Sequence, residues 1–173
     1  IKTYDPKWAQ IFEEEKDLIA SAIGEWIIEI EHVGSTSVKG LGAKPIIDIV
    51  ACVETLEIAE KHCIHRLESL GYIYMAEFEK LIPERRFFRK HSKEGASTHQ
   101  IHLVKKESTV FKKLVLFRNY LLNHPDEAKA YETEKRRLAP MFTNTTEYAH
   151  AKSQFVEKAL EKAEIWMNGF SSE

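Results

Sequence analysis

Cysteine is scarce: Cys52 and Cys63 are the only two among 173 residues, and their spacing matches neither a zinc site nor a redox pair. Without a disulfide framework the chain must hold itself together by its core, and a reducing, cytoplasmic setting is expected. Seven glycines and five prolines leave no room for a Gly/Ser linker or a low-complexity tract. No apolar run approaches the roughly 18 residues of a membrane span, and the first segment lacks a signal-peptide pattern. An excess of positive charge is missing too. The 25 Lys and Arg against 27 Asp and Glu give a formal net charge of −2, which argues against a protein that coats nucleic acid generally. A small phosphorylated ligand held by a few inward cations fits within that balance.

What is present reads as one domain over 1–173, 43% hydrophobic and 30% charged, with a helical C-terminal portion from about 108 to 167. A helix is expected from Asp5-Pro6 to Ile23, its apolar stripe formed by Trp8, Ile11, Phe12, Leu18, Ile19 and Ala22. Trp26–Val33 alternates as a strand, 46–53 is an apolar strand, and a helix should run from Leu56 to Leu70, closed by Gly71. Further strands are expected at Tyr72–Ala76, Arg85–Lys90 and Thr98–Val104, followed by helices over 108–123, 126–139 and 145–167. Cys52 and Cys63 read as small core residues. The fold class is α+β, a mixed sheet packed by helices with three more at the C-terminal end.

The most informative stretch runs from His32 to Val50. Gly34-Ser35-Thr36-Ser37 follows a strand and offers backbone N–H groups and hydroxyls to an anion, because glycine adds no side chain and tolerates unusual dihedrals. Thirteen positions beyond Ser35 stands Asp48, the one polar residue in an apolar strand. A carboxylate there must be paired, hydrogen-bonded or metal-bound. Lys44 is placed to reach the same pocket, or to lie solvated in the loop. Mg²⁺ chemistry favours two or more acids, yet the same-face neighbour of Asp48 is Val50, leaving Glu31, Glu77 and Glu79 as other sources. His102 shares a strand face with Gln100 and reads either as a structural histidine or as a ligand contact.

Each of the last three helices carries a cation on its apolar stripe: Arg118, Lys135 and Lys152. Any one alone reads as a side chain that sends its charge to water past a packed stem. Together with the strand cations Arg85, Arg86 and Arg89, of which Arg86 is assigned to the ligand, they point to an anion cavity between sheet and helices. Pairing of one of them with Asp48 is the structural alternative.

The segment from His32 to Ile49 resembles the signature of the GrpB family. The likeness continues through Arg85–Lys90, His102-Leu103-Val104, Phe117–Leu121, Pro125, Ala128, Tyr131, Lys135, Leu138-Ala139, Tyr148, Ala151-Lys152 and Phe155. The resemblance implies a nucleotidyltransferase-like fold of the polymerase-beta type. It implies that Gly34 and Ser35 touch phosphates and that Asp48 binds Mg²⁺ and serves catalysis. It also implies a nucleotide partner, and a coenzyme A biosynthesis context through relatives fused to dephospho-CoA kinase. Val50 stands where active superfamily members carry a second acid, and Gln100 and Asn119 stand where the family favours His and Asp. The readings carried forward are metal-dependent nucleotidyl transfer, non-catalytic binding of a nucleotide or phosphometabolite, and a scaffold in which Asp48 is salt-bridged.

Overall fold

Alternating side chains and β-branched residues place five strands in one mixed sheet, in a computed structural model that describes residues 1–170. The strands are β1 (Ile27–Val33), β2 (Ile47–Val53), β3 (Ile73–Tyr74), β4 (Arg85–His91) and β5 (Ser97–Lys105), in the spatial order β1-β2-β5-β4-β3. Only β2 and β5 pair in parallel. Residues 171–173, included in the one-domain expectation, lie outside the described residues.

One face of β2 presents Ile47, Ile49, Ala51 and Val53 to a core completed by Trp8, Phe12, Ile19 and Ile23 of α1 (Lys7–Ile23). That stripe differs from the expected one. Ile11 and Leu18 stand exposed, and Glu15 takes a buried position among the apolar residues, accepting from the Tyr72 hydroxyl at 2.7 Å and from Lys90. The helix expected over 56–70 is divided into α2 (Leu56–Ile58), a π turn at Ala59–Cys63 and α3 (Ile64–Ser69). Both cysteines are buried and free, as expected. The strand expected at Tyr72–Ala76 is two residues long. Its pairing continues through one bond, Met75 N–H to the Phe87 carbonyl, before the chain turns at Ala76–Lys80.

The opposite sheet face carries Asp48, Val50 and Cys52 from β2. Register places Gln100, His102 and Val104 of β5, and Arg89, Phe87 and Arg85 of β4, beside them. At one end α4 (Thr109–Asn123) seals this face by packing Val110, Phe111, Leu114 and Val115 on Val33, Val50, Cys52 and Val104. Ser108 caps that helix by accepting from the Val110 N–H at 3.1 Å. Next come α5 (Pro125–Leu138) and α6 (Thr145–Phe170). These two and α4 share a second core that also takes in Val38 and Leu41 from the loop between β1 and β2. The architecture is the α+β one expected, with three C-terminal helices. Where α4 stops sealing the sheet, a gap opens.

Candidate functional site

That gap is a cavity of about 310 Å³, at the lower end of the range for small-molecule pockets. Its floor is the sheet face bearing Asp48, His102, Gln100, Arg85, Phe87 and Arg89. Its roof is Lys135 of α5 with Tyr148 and Lys152 of α6. Ser35, Thr36 and Lys44 line it from the β1–β2 loop, and Phe78 and Leu81 close the far end.

The loop is built around Gly34. Its φ of +72° suits glycine, and a Cβ there would overlap the Asp48 carboxylate. The turn therefore lies directly against the acid. Ser35 shares a hydrogen bond with the Tyr131 hydroxyl, whose pKa burial pushes above its ordinary value. Thr36 lines the cavity with its hydroxyl already occupied: it donates to the Ile46 carbonyl at 3.2 Å and meets His32 Nε2 at 2.9 Å. Because Thr36 uses its proton on the carbonyl, His32 must be the donor in that contact. Burial also holds His32 neutral, with its pKa lowered to about 4. Farther along, α5 clamps the Gly42 peptide from both sides. Glu132 Oε2 accepts from its N–H at 2.9 Å, and Lys135 Nζ donates to its carbonyl at 2.6 Å.

Five cations line the cavity, and none makes an ion pair within 4 Å among the described residues. Aromatic faces hold them instead. The Tyr148 ring lies 4.0 Å from Lys44 Nζ and 4.4 Å from Lys152 Nζ, and the Phe87 ring 4.5 Å from the Arg85 guanidinium and 5.4 Å from that of Arg89. Lys135 is 2% exposed, and burial together with the Lys152 charge lowers its pKa to about 7. Burial lowers Lys44, Lys152 and Arg85 as well, and the nearby Asp48 carboxylate partly opposes this at Lys152. The Tyr148 hydroxyl and the Nε atoms of Arg85 and Arg89 are buried without a hydrogen-bond partner. Asp48 accepts no side-chain hydrogen bond among the described residues; its nearest charged-capable neighbour is His102, Nε2 to Oδ1 at 3.9 Å.

The structure thus brings Ser35, Thr36, Lys44, Asp48, His102, Lys135 and Lys152 to one cavity, with Gly34 behind Asp48. Two expected residues lie elsewhere. Strand alternation turns Arg86 to the other sheet face, where Nη2 meets Glu60 at 2.7 Å and Nε meets Glu79 at 3.5 Å; Arg85 and Arg89 face the cavity instead. Arg118 points inward, but to β1: Nη1 donates to Glu31 Oε2 at 2.7 Å and to the His32 carbonyl at 2.9 Å. Its role is structural, so Arg118→Met should lower stability by about 1–2 kcal/mol through the orphaned carboxylate and carbonyl. Urea unfolding reads that loss, and phosphate binding in the cavity should be unchanged. In the sequence Tyr148 stands only among the residues that carry the family likeness. Its place midway between two lysines, one turn from Lys152 and far in sequence from Lys44, was legible for the first and not for the second.

A protein-held Mg²⁺ does not fit these donors. Asp48 is the one carboxylate of the cavity; Val50 is fully buried beneath α4, Glu31 is engaged by Arg118, and Glu79 lies by Arg86 on the far face. No group of three or more His, Cys, Asp and Glu able to hold a metal occurs among the described residues. Hard cations take several oxygen donors, and here the surroundings are ammonium and guanidinium groups.

A Gly-Ser turn and a lone acid, facing a cation-walled cavity under three C-terminal helices, mark this as an α+β protein of one definite class. The chain belongs to the GrpB protein family, whose model matches residues 1–162. The crystal structure of conserved protein GrpB from Enterococcus faecalis overlays at a TM-score of 0.84 with 34% identity, covering 95% of this chain and 98% of that one. Glutamate-rich protein GrpB of Alkalihalophilus pseudofirmus is 35% identical over 161 residues, 91% of each chain. UPF0157 protein YqkA of Bacillus subtilis is 34% identical over 167 residues, and there the chain spans 47% of the relative's length. Among the described residues no helix is long and apolar enough to cross a membrane.

Proposed function

We propose that the cavity binds a phosphorylated small molecule of the nucleotide class. The supporting observation is the set of five cations, Lys44, Arg85, Arg89, Lys135 and Lys152, that converge without carboxylate partners. Unpaired charges held partly out of water are costly, and a phosphate group returns charge and acceptor oxygens to all of them at once. Lysine ammonium groups act as point charges along a polyphosphate, whereas the two guanidinium groups, lying on Phe87, suit forked contacts at one end.

Nucleotidyl transfer is a second reading, favoured by the position of Asp48. Its carboxylate has free lone pairs, lies against the Gly34-Ser35 turn and faces the cavity. In that reading Asp48 accepts the proton of a hydroxyl that attacks the α-phosphorus of a triphosphate. The bond from that phosphorus to the bridging oxygen breaks, pyrophosphate leaves, and the cations stabilise the charge developing on the phosphoryl oxygens. Non-catalytic capture uses the same contacts with Asp48 acting as a hydrogen-bond acceptor.

The test is a thermal-shift panel of nucleoside triphosphates, nucleoside diphosphates and coenzyme A precursors. A binder present at about 100 times its Kd should stabilise the protein by about 2.7 kcal/mol, a shift of several degrees at this size. If no phosphorylated compound shifts the transition, the cavity reading fails. Turnover of a stabilising triphosphate then separates transfer from capture.

A further inference from the structure

We propose that a polyphosphate bound here is neutralised by the protein's own cations rather than by a divalent metal, and that Asp48 faces a hydrogen-bond donor of the ligand, a hydroxyl or an amine. This rests on the reading of the cavity as a phosphate site and goes on to its chemistry.

The first ground is charge. A polyphosphate carries about one negative charge per phosphate and up to two at its end. Five basic side chains against one carboxylate supply an excess of that order, with Lys135 held in its ammonium form once the anion is present. A divalent ion entering the same 310 Å³ would meet those cations at close range in a partly dehydrated space, where like charges repel strongly.

The second ground is the set of polar atoms left incomplete. Four buried side-chain polar atoms lack a hydrogen-bond partner among the described residues: His99 Nε2 on the opposite sheet face, and three on the cavity side, the hydroxyl of Tyr148, which is 3% exposed, and the Nε atoms of Arg85 and Arg89. Buried groups of this kind are uncommon. All three belong to side chains lining the cavity. All three can donate to an oxygen, and none can serve a metal ion in its ordinary protonated form. Donors outnumber acceptors in this lining, which suits an anion.

The third ground is the neighbourhood of Asp48. Arg85 Nη1 lies 3.3 Å from His102 Nδ1. A guanidinium can only donate, so Nδ1 is the bare nitrogen and the imidazole proton sits on Nε2. That N–H is on the side of Asp48, 3.9 Å away, too far to satisfy it. Lys152 is the cation whose pKa responds to the same carboxylate. The acid thus has one N–H beside it that does not reach it, and it presents acceptor lone pairs to the cavity. A hydroxyl or amine on a ligand whose phosphates lie against the lysines completes that arrangement. The lone acid then distinguishes a phosphorylated compound bearing such a donor from a bare polyphosphate.

Isothermal titration calorimetry with inorganic tripolyphosphate and with ATP, each in EDTA and in excess Mg²⁺, tests this on the wild type, Asp48→Asn and Asp48→Ala. The expected results are binding of both compounds in EDTA and weaker binding when Mg²⁺ complexes the phosphates. Removing the like charge should tighten tripolyphosphate about tenfold in both variants. ATP should gain less than tripolyphosphate in Asp48→Ala, because the acceptor is gone. Binding that requires Mg²⁺ and disappears in Asp48→Asn overturns this inference and leaves the phosphate site standing. Equal gains for ATP and tripolyphosphate in Asp48→Ala overturn the donor assignment. Absence of binding by either compound in either buffer overturns the phosphate site, and this inference with it.

Discussion

Lys135→Met combined with Lys152→Met should weaken triphosphate binding by at least about a hundredfold. Each lysine contributes a charge-assisted contact worth about 1.5–3 kcal/mol, and two such contacts correspond to about two to four decades in Kd. The methionines preserve side-chain length, and Met fills irregular apolar space well, so thermal melts should show a folded protein. The Gly42 carbonyl, which Lys135 satisfies at 2.6 Å, is left to find water. Calorimetric titration at fixed low salt reads the effect, and a loss below threefold would remove the two lysines from the site.

The same lysine gives binding a pH dependence whose sign is fixed. Lys135 titrates at about 7 in the folded chain, against an ordinary 10.5, because burial and Lys152 oppose its charge; Arg136 opposes it too, and Glu132 supports it. An anion favours the ammonium form, so triphosphate affinity should fall as pH rises from 6 to 8.5, with proton uptake on binding. The fall between pH 7 and 8.5 should be smaller in Lys135→Met alone. Stability runs the other way. Between about 7 and 10.5 the unfolded chain holds a proton the folded chain lacks, so this residue makes the ligand-free protein more stable as pH climbs through that window.

How much of the site was legible depended on which geometry each residue obeys. Helical spacing puts Lys135 and Lys152 on inward faces, where the cavity lies, because a polar residue in an apolar stripe must face something buried. The same spacing made Arg118 an equal candidate. Only the register of β1, which sets Glu31 and the His32 carbonyl beneath α4, shows that its partner is internal. Strand parity separates Arg86 from Arg85 and Arg89 without ambiguity, but it does not say which parity faces the cavity. That is decided by where α4 ends, a property of helix packing. Helical spacing alone puts Ile11 and Leu18 in the core of α1, on a wholly apolar stripe. The structure places Glu15 there instead, since Tyr72, just before β3, and Lys90 of β4 arrive from far along the chain to satisfy it. The π turn at Ala59–Cys63 has no Pro or Gly within it to announce it.

The loop and the helices are mechanically one unit. Gly34 seats the turn on Asp48, while Glu132 and Lys135 hold the Gly42 peptide from α5. Lys135 thus has two partners to serve, the loop carbonyl and the proposed phosphate. Ligand binding at its ammonium group acts on the same contact that fixes the β1–β2 loop.

Val50→Asp, the change that supplies the second carboxylate missing from β2, should destabilise the protein by about 4 kcal/mol or more and leave it without a metal site. Val50 is fully buried and packs with Val33, Cys52 and Val104 under Val110, Phe111, Leu114 and Val115. Losing its burial costs about 1.5–3 kcal/mol, and a dehydrated carboxylate adds several more. Glu31 stands directly opposite it across β1, where a second negative charge is further destabilising. Against a typical total of about 5–15 kcal/mol, the variant should be largely unfolded near 37 °C. The penalty belongs to the charged form. Burial raises the folded-state pKa of the new carboxyl above its unfolded value, so the loss should shrink as pH falls toward 5 and be greatest at 7.5. Val50→Thr separates lost packing from charge and should cost about 1–2 kcal/mol with little pH dependence. Urea unfolding of the three proteins at both pH values, with and without Mg²⁺, measures all of this. A Val50→Asp protein that folds like the wild type and gains several degrees on adding Mg²⁺ would mean that position 50 reaches the cavity. The metal-free account of the lone acid would then fail at its foundation.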